Sequence, residues 1–258
     1  MKWYENAVMY HIYPLGFCGA PKHNEGGEPV NRLEKVLDWI PHLKELGVDA
    51  VYFGPVFESV EHGYDTTDYR VIDRRLGTNE MFAHICDELH KNGIRVILDG
   101  VFSHTGADSI YFNKFGRYNT PGAYQSENSP YYSWYHFWGN KEYESWWGID
   151  TLPNVDENNP SYTKYICGDD GVLDYWMSLG AAGYRLDVAD ELPDEFLDNL
   201  RTCVKKYDEE KIVIGEVWED ASNKESYGVR RRYLIDGQLD SVMNYPFKAV
   251  SYTHLRAH

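Results

Sequence analysis

Three acidic residues lie in or directly after short apolar runs in widely separated parts of the 258-residue chain: Asp99, Asp187 and Glu216. Acidic residues are disfavoured in β-strands and are almost never fully buried without a partner. A single one could cap a helix or pair with Arg185. Three of them in matching positions instead predict a reaction site.

Two kinds of chemistry use such a cluster. Carboxylates from adjacent strands can bind Mg²⁺, so Asp99, Asp187 and Glu216 could be the ligands of a metal-dependent barrel enzyme. Glycoside hydrolysis instead needs one carboxylate as nucleophile and one carboxylic acid as proton donor. Arg185 lies two residues before Asp187, so on a strand both side chains point to the same face. There the cation is expected to keep Asp187 ionised and to repel a metal ion, which favours glycoside hydrolysis.

Further polar and aromatic residues follow the neighbouring apolar runs. His62 and Tyr64 lie in the loop after the second run, and His104 follows the third. Imidazoles can hydrogen-bond to sugar hydroxyl groups, and a tyrosine ring can stack on the apolar face of a sugar. These three side chains suit a sugar better than a metal ion.

The elements that must position these residues alternate between strands and helices. Apolar runs predict strands at Val8–Phe17, Ala50–Gly54, Arg95–Phe102, Tyr184–Val188, Ile212–Val217 and Leu239–Tyr245. One-sided apolar patterns predict helices at Leu33–Leu46 (interrupted by Pro41), Phe82–Leu89, Leu173–Leu179 and Glu195–Lys206. Repeated strand–helix units predict a parallel sheet, and six in a row favour an incomplete (β/α)8 TIM barrel. The active site of such a barrel forms at the carboxyl ends of its strands.

The interval between the third and fourth strands is too long for one helix and a loop. An inserted domain over residues 105–155 accounts for the surplus, leaving residues 1–104 and 156–250 for the barrel. Between residues 105 and 148 the only Ile, Leu or Val is Ile110, whereas Tyr, Trp and Phe are abundant. These rings are expected to supply the core of the insertion, and the remainder could form a sugar-stacking surface.

Composition excludes several classes of protein. The formal net charge of −16 argues against a nucleic-acid or anionic-membrane partner, because both are polyanions. The apolar runs are too short to span a membrane or to form a signal peptide. The four cysteines form no CxxC pair, so neither a zinc site nor a redox centre is indicated. A cytoplasmic protein is therefore expected, and the sequence indicates no oligomeric state.

Five motifs together resemble a known family. Asp99-Gly-Val-Phe-Ser-His104, Gly183-Tyr-Arg-Leu-Asp187-Val-Ala-Asp190 and Ile214-Gly-Glu216-Val-Trp218 resemble three signature regions of the α-amylase family, glycoside hydrolase family 13. Glu61-His-Gly-Tyr64-Asp-Thr-Thr-Asp-Tyr69 is similar to the family's loop after the second strand. Leu152-Pro-Asn-Val-Asp156 is similar to the motif that closes its inserted domain B. The Asp-Thr-Thr-Asp-Tyr loop and Val242-Met-Asn-Tyr-Pro-Phe247 look most like the neopullulanase, cyclomaltodextrinase and maltogenic amylase group.

The resemblance implies a retaining hydrolase that acts on α-glucans through a covalent glycosyl-enzyme. Asp187 is then the nucleophile, and Glu216 is the proton donor and later the base. Asp99 is expected to support the site through hydrogen bonds near Arg185, which orients Asp187. The expected substrate-binding residues are His62, Tyr64, His104 and Arg185.

Departures from the family pattern lead to further expectations. Many relatives have Asn at the position of Ser103, where it binds a structural calcium ion, so no cofactor is assigned and calcium is doubtful. No Asn-His-Asp motif follows Tyr245, although the family's third carboxylate lies at the end of strand seven. Residues 1–258 by themselves are therefore expected to be inactive, with 251–258 as a non-native tail. A non-catalytic carbohydrate-binding protein remains an alternative to the enzyme.

Overall fold

The computed structural model describes residues 1–139, 141–235 and 237–255. Within these ranges the strands are β1 (Met9–Ile12), β2 (Ala50–Phe53), β3 (Phe57–Ser59), β4 (Thr66–Ile72), β5 (Arg95–Gly100), β6 (Phe137–Trp138), β7 (Glu142–Tyr143), β8 (Ala181–Leu186), β9 (Ile212–Gly215), β10 (Glu225–Ser226), β11 (Val229–Arg230) and β12 (Ser241–Val242). The α-helices are α1 (Pro14–Phe17), α2 (Lys35–Asp38), α3 (Ile40–Glu45), α4 (Asn79–Lys91), α5 (Pro160–Cys167), α6 (Val172–Ser178), α7 (Asp194–Tyr207) and α8 (Tyr245–Leu255). Short 3₁₀-helices lie at Trp3–Asn6, Arg32–Glu34, Tyr132–Trp134 and Trp146–Gly148.

Six strands form one parallel sheet in the order β1-β2-β5-β8-β9-β12. Spatial order follows chain order, as in a barrel, and helices lie between successive strands up to β9, whereas the segment from β9 to β12 contains the β10–β11 hairpin. The prediction of an incomplete (β/α)8 barrel is therefore confirmed. The remaining strands pair antiparallel as hairpins: β3 with β4, β6 with β7, and β10 with β11.

Several element boundaries differ from the sequence prediction. The first strand ends at Ile12 instead of Phe17, because Pro14 takes the first position of α1. The predicted sixth strand is reduced to Ser241–Val242, and Tyr245 already begins a helix. The segment predicted to be a loop after β2 contains the β3–β4 hairpin. The break expected at Pro41 is present: α2 and α3 are separate helices that meet at Trp39, with Pro41 in the first turn of α3.

The outer helices bury their apolar faces against the sheet. Thr78 caps the N-terminus of α4, since its side chain accepts a hydrogen bond from the amide of Met81. The buried residues of this helix are Phe82, Ile85, Cys86 and Leu89. The fully buried ring of Trp176 in α6 stacks on Phe57 and meets Phe82 edge-on. Its indole N–H donates to the carbonyl oxygen of Tyr69 at 2.7 Å. The β3–β4 hairpin is thereby packed onto the helical layer, which holds the loop at its tip in place.

A β-bulge at Gly183 sets the register of β8. Val96 pairs with Ala181 and Leu98 pairs with Tyr184, so β8 has one extra residue between these pairs. Gly183 has a φ of 146°, and an added Cβ would lie 2.0 Å from the carbonyl oxygen of Ile212. Beyond the bulge, Arg185 aligns with Asp99. Glycine is required here because a side chain would push β8 away from β9.

Aromatic rings form the interior of the segment between β5 and α5, as the sequence predicted. The buried ring of Phe112 has its centroid within 6 Å of four others, which belong to Tyr124, Tyr135, Phe137 and Tyr143. The boundaries 105–155 stay a prediction. At the other end of the chain, α8 continues to Leu255, and residues 256–258 of the expected tail lie outside the described residues. Among the described residues, no helix is long and apolar enough to cross a membrane.

Candidate active site

One guanidinium group holds together the three carboxylates that the sequence singled out. Arg185 Nη1 lies 2.7 Å from Asp99 Oδ1 and 2.8 Å from Asp187 Oδ1, and Nη2 lies 2.9 Å from Glu216 Oε2. All four side chains are buried. Such charge-assisted bonds fix geometry strongly, because a guanidinium presents its donors in a rigid plane. The structure therefore brings Asp99, Arg185, Asp187 and Glu216 into one cluster.

The sheet register places these residues together. Asp99 on β5 pairs with Arg185 on β8, which pairs with Ile214 on β9. Asp187 and Glu216 each follow the last residue of their strand, so both lie at the carboxyl edge of the sheet. The pairing between β5 and β8 continues to Asp187, whose backbone amide donates a hydrogen bond to the carbonyl oxygen of Gly100. The site thus forms where a parallel barrel places its active site.

Two tyrosines that the sequence reasoning missed complete this cluster. The Tyr52 hydroxyl donates to Asp99 Oδ2 at 2.5 Å, and the Tyr245 hydroxyl donates to Glu216 Oε1 at 2.7 Å. The amide of Val188 also donates to Glu216, at Oε2. Tyr245 follows β12 by a few residues, so the strand-end argument that found the carboxylates could have found it. Tyr52 lies in the interior of β2, so its role becomes visible only once the structure shows that its side chain projects from the same face of the sheet as Asp99.

Burial and the charge of Arg185 act in opposite directions on the pKa values of Asp187 and Glu216. Burial, followed by the charge of Asp99, raises the pKa of Asp187 to about 7, despite the opposing effect of Arg185. Burial also tends to raise the pKa of Glu216, but the Arg185 charge and the hydrogen bonds from Tyr245 and Val188 outweigh it, so that pKa is lowered. Arg185 thus acts on the pKa of Asp187 in the predicted direction, but burial outweighs its effect. The hydration that the buried Asp187 carboxylate loses outweighs its ion pair with Arg185, because Asp187 shares that cation with Asp99 and Glu216.

The loop after β3 presents His62 and Tyr64 beside this cluster. Asp65 shapes the loop, since its carboxylate accepts hydrogen bonds from the amides of Val60, Glu61 and Gly63. The imidazole of His62 is about half exposed and lies 3.5 Å from Asp65 Oδ1. Tyr64 lies close enough to the cluster that burial and then the charge of Asp99 raise the pKa of its phenol. Tyr64 therefore lies near the cluster, and the expected substrate-binding roles of His62 and Tyr64 stay predictions.

His104 is buried and already has two hydrogen-bond partners. Its Nδ1 lies 2.9 Å from Ser103 Oγ, and its Nε2 lies 3.0 Å from the carbonyl oxygen of Tyr64. Burial lowers the pKa of this imidazole to about 4, so the ring is neutral. In this arrangement His104 braces the backbone of the Tyr64 loop, and its expected bond to a sugar hydroxyl stays a prediction.

The donor set at this site does not suit a metal ion. The three carboxylates converge on the Arg185 guanidinium, whose charge would repel a cation. The Ser103 hydroxyl already has a partner, since its oxygen lies 2.9 Å from His104 Nδ1. Across residues 1–139, 141–235 and 237–255, no three His, Cys, Asp or Glu side chains are grouped so that they could hold a metal.

Comparison with known proteins agrees with this fold. The model of the α-amylase catalytic domain matches residues 11–257. An amylopullulanase from Thermoanaerobacter thermohydrosulfuricus is 37% identical over 95% of this chain and 20% of its own length. A cyclomaltodextrinase from Thermoanaerobacter pseudethanolicus is 34% identical over 96% of this chain and 44% of its own length. Among solved structures, a cyclic α-maltosyl-(1→6)-maltose hydrolase from Arthrobacter globiformis, in complex with maltose, aligns with a TM-score of 0.78. It is 27% identical over 95% of this chain and 57% of that one.

A parallel barrel with carboxylates clustered at its carboxyl edge defines the general class of (β/α)8 enzymes. The particular family follows from the matches: the chain belongs to the α-amylase family, glycoside hydrolase family 13. The resemblance stated from the motifs is therefore confirmed. The chain spans less than half the length of either curated relative.

Proposed function

We propose that the protein carrying this chain is a retaining α-glycoside hydrolase that cleaves α-glucans. Its substrates are maltodextrins, with cyclodextrins and pullulan as further members of the class. The family supports this proposal, as do its relatives, which include an amylopullulanase and a cyclomaltodextrinase. Hydrolysis is the proposed reaction, with Asp187 and Glu216 as its catalytic residues.

The observation that carries the proposal is the shared guanidinium of Arg185. Asp187 and Glu216 each contact one of its terminal nitrogens, at 2.8 and 2.9 Å. Two carboxylates bridged by one guanidinium are close together, and a short separation of about 5–5.5 Å is typical of retaining glycosidases. Inverting enzymes keep their two carboxyl groups further apart, because a water molecule must fit between the sugar and the base.

In the first step, Glu216 donates its proton to the glycosidic oxygen while an oxygen of Asp187 attacks the anomeric carbon. The bond between that carbon and the departing oxygen breaks, and a covalent glycosyl-enzyme forms. In the second step, Glu216 takes a proton from water, and the water oxygen displaces Asp187 from the anomeric carbon. Two displacements at one carbon retain its configuration. Arg185 orients Asp187 throughout, and Asp99 with Tyr52 fixes Arg185.

In the site without substrate, the pKa values of the two carboxyl groups are displaced in opposite directions. The pKa of Asp187 is raised and that of Glu216 is lowered, whereas the first step needs ionised Asp187 and protonated Glu216. The two acids interact through Arg185, so they titrate as a coupled pair. The Tyr245 hydroxyl stabilises ionised Glu216, so it opposes the protonation of Glu216 that the first step requires.

Tyr245→Phe is expected to extend activity to higher pH. Removing a hydroxyl that donates to ionised Glu216 raises the pKa of this acid, so Glu216 stays protonated further into the alkaline range. The alkaline limb of kcat/KM against pH should therefore move upward. Tyr4→Phe is the matched control, since its hydroxyl donates to Asp240 before β12, at the opposite edge of the sheet. An unchanged limb in Tyr245→Phe would show that this hydrogen bond does not tune the acid.

The proposed activity is tested by incubating the full-length protein with maltotriose, β-cyclodextrin, pullulan and sucrose. We expect release of short maltodextrins, with the α-anomer appearing first in ¹H NMR spectra. Activity on sucrose alone, or initial release of the β-anomer, would contradict the proposal. A dependence on Mg²⁺ that EDTA abolishes would favour the metal enzyme, and sugar binding without turnover would favour a binding protein. The same assays on residues 1–258 check the prediction that this segment alone is inactive.

A further inference from the structure

Arg75 is a buried arginine that lies shortly after β4 and is bound on one side by Asp73. Its Nε and Nη2 atoms donate to the two carboxylate oxygens of Asp73 at 2.8 and 2.6 Å. Nη2 also donates to Ser59 Oγ at 2.8 Å. A guanidinium group is planar, so a carboxylate that holds two of its nitrogens also fixes the direction of the third. The Nη1 atom of Arg75 is therefore aimed at one place.

That place is the meeting point of two connections that are separate in the chain. Arg75 Nη1 lies 3.1 and 2.9 Å from the carbonyl oxygens of Pro21 and Lys22, in the segment after α1. It lies 2.8 Å from the carbonyl oxygen of Glu61, in the loop between β3 and β4. Carbonyl oxygens that converge on one point repel one another, and a cation between them offsets that repulsion. Arg75 thus joins the two connections.

Apolar packing between these two connections is incomplete. A cavity of about 460 Å³ lies between them, with Leu15, Pro21 and His62 among the residues of its walls. Side chains that face each other across a cavity lose dispersion contacts, so they hold the connections together only weakly. The relative position of the connections therefore depends on hydrogen bonds, and those of Arg75 are both buried and charge-assisted.

One of the two connections carries Tyr64 to the carboxylate cluster. Carbonyl oxygens of this Tyr64 loop (residues 60–65) are contacted by three side chains from other parts of the chain, namely Arg75, Tyr13 and His104. Arg75 contributes the charged contact and ties the loop to the segment after α1 at the same time. Removing it should let the loop shift as a unit, since Asp65 preserves the loop's internal shape.

We propose that Arg75 is a positioning residue for hydrolysis, which holds the Tyr64 loop in place so that the Tyr64 ring meets the sugar whose bond is cleaved. The inference rests on the proposed function, since it takes Tyr64 as a contact of that sugar. Arg75 acts through the position of the loop. A misplacement of about 1 Å in such a contact costs up to about 100-fold in rate.

The first test replaces Arg75 by Lys in the full-length protein. Arg75→Lys keeps a positive charge beside Asp73 but loses the planar guanidinium, and one ammonium group cannot reach all the present acceptors. We expect kcat/KM for maltohexaose to fall about 100-fold. Most of the loss should appear in kcat, because the other glucosyl units of maltohexaose still bind. Arg74→Lys is the matched control and should leave kcat/KM unchanged, since Arg74 bonds to Glu58 and to the carbonyl oxygen of Gly27.

A double-mutant cycle separates positioning from general damage to the fold. Tyr64→Ala removes the ring through which Arg75 acts, so adding Arg75→Lys in that background should lower kcat/KM for maltohexaose little further. General damage would lower kcat/KM by the same factor in both backgrounds. Equal losses in the two backgrounds would overturn the proposal, and so would an unchanged kcat/KM in Arg75→Lys alone.

Failure of this inference differs from failure of the proposed function. If the full-length parent protein hydrolyses no α-glucan, the proposed function fails, and hydrogen exchange decides the inference. The amides of Val60, Glu61 and Gly63 report on the loop, and peptides from α7 serve as the reference. Arg75→Lys should speed exchange of these amides about tenfold relative to α7, because buried hydrogen bonds are lost. Unchanged relative exchange would overturn the inference.

Discussion

Replacing Asp187 by Asn is expected to abolish turnover of α-glucans by the full-length protein, with a loss of at least about 10⁴-fold in kcat. The amide cannot attack the anomeric carbon, so no glycosyl-enzyme forms. Asn has nearly the same shape as Asp and still offers an oxygen to Arg185, which lies 2.8 Å from Asp187 Oδ1. The loss should therefore appear in kcat, with an unchanged cooperative melting transition.

The Glu216→Gln variant is expected to lose a different part of the reaction from Asp187→Asn, namely protonation of the departing oxygen. General acid catalysis contributes about 10²–10⁴-fold, so maltodextrin cleavage should be lost. An aryl α-maltoside with a good leaving group needs little protonation and should still glycosylate Asp187. Stopped-flow measurement should therefore show a burst of released phenol from Glu216→Gln and none from Asp187→Asn.

The same measurement decides the assignment of roles. Because the pKa of Asp187 is raised and that of Glu216 is lowered before substrate binds, the opposite assignment has to be tested directly. A burst from Asp187→Asn and none from Glu216→Gln would show that the roles are reversed. Glu219→Gln is the matched control. Its carboxylate is exposed and pairs with Lys224, so normal turnover is expected.

The largest loss of stability is expected from Arg185→Leu. This change leaves Asp99, Asp187 and Glu216 buried without their shared cation. Removing one partner of a buried ion pair costs about 3–5 kcal/mol of unfolding free energy, because the remaining charge keeps its desolvation penalty. Urea unfolding at pH 7 should show a loss of this size. Lys206→Met, which breaks an exposed pair with Asp169, should change the midpoint little.

The loss from Arg185→Leu should depend on pH with a defined sign. Burial already raises the pKa values of Asp99 and Asp187 in the folded chain, and removal of the cation raises both further. A carboxyl group whose folded pKa exceeds its unfolded value of about 3.9 contributes stability below that pH. That stability is lost as pH rises through the folded pKa. The difference between variant and parent should therefore be larger at pH 8 than at pH 5, and the reverse order would contradict this account of the site.

Much of the fold and half of the site follow from the sequence because they rest on local patterns. Apolar runs that end in Asp99, Asp187 and Glu216 predict buried strands with polar ends, and parallel strands bring such ends to one edge. The break near Pro41 follows likewise from the chemistry of one residue. These predictions hold because each depends on a few neighbouring residues or on a rule common to all parallel barrels.

Contacts between distant segments were beyond the reach of such patterns. Tyr245 bonds to Glu216 across 29 residues, and Tyr52 bonds to Asp99 across 47. No sequence pattern predicts that Glu191 accepts a hydrogen bond from the indole of Trp147. Such pairs depend on where side chains project once helices and loops have packed.

The motifs thus determined the family, the sheet and the identity of the clustered acids. Only the tertiary structure determined the register of the strands that carry these acids and the pKa values of their carboxyl groups. The bulge at Gly183 sets which residue of β8 stands beside Asp99, and it arises from pairing between two strands. Burial, and not proximity to Arg185, raises the pKa of Asp187. The free energy of an ion depends on every group that displaces water around it, and that sum exists only in the folded chain.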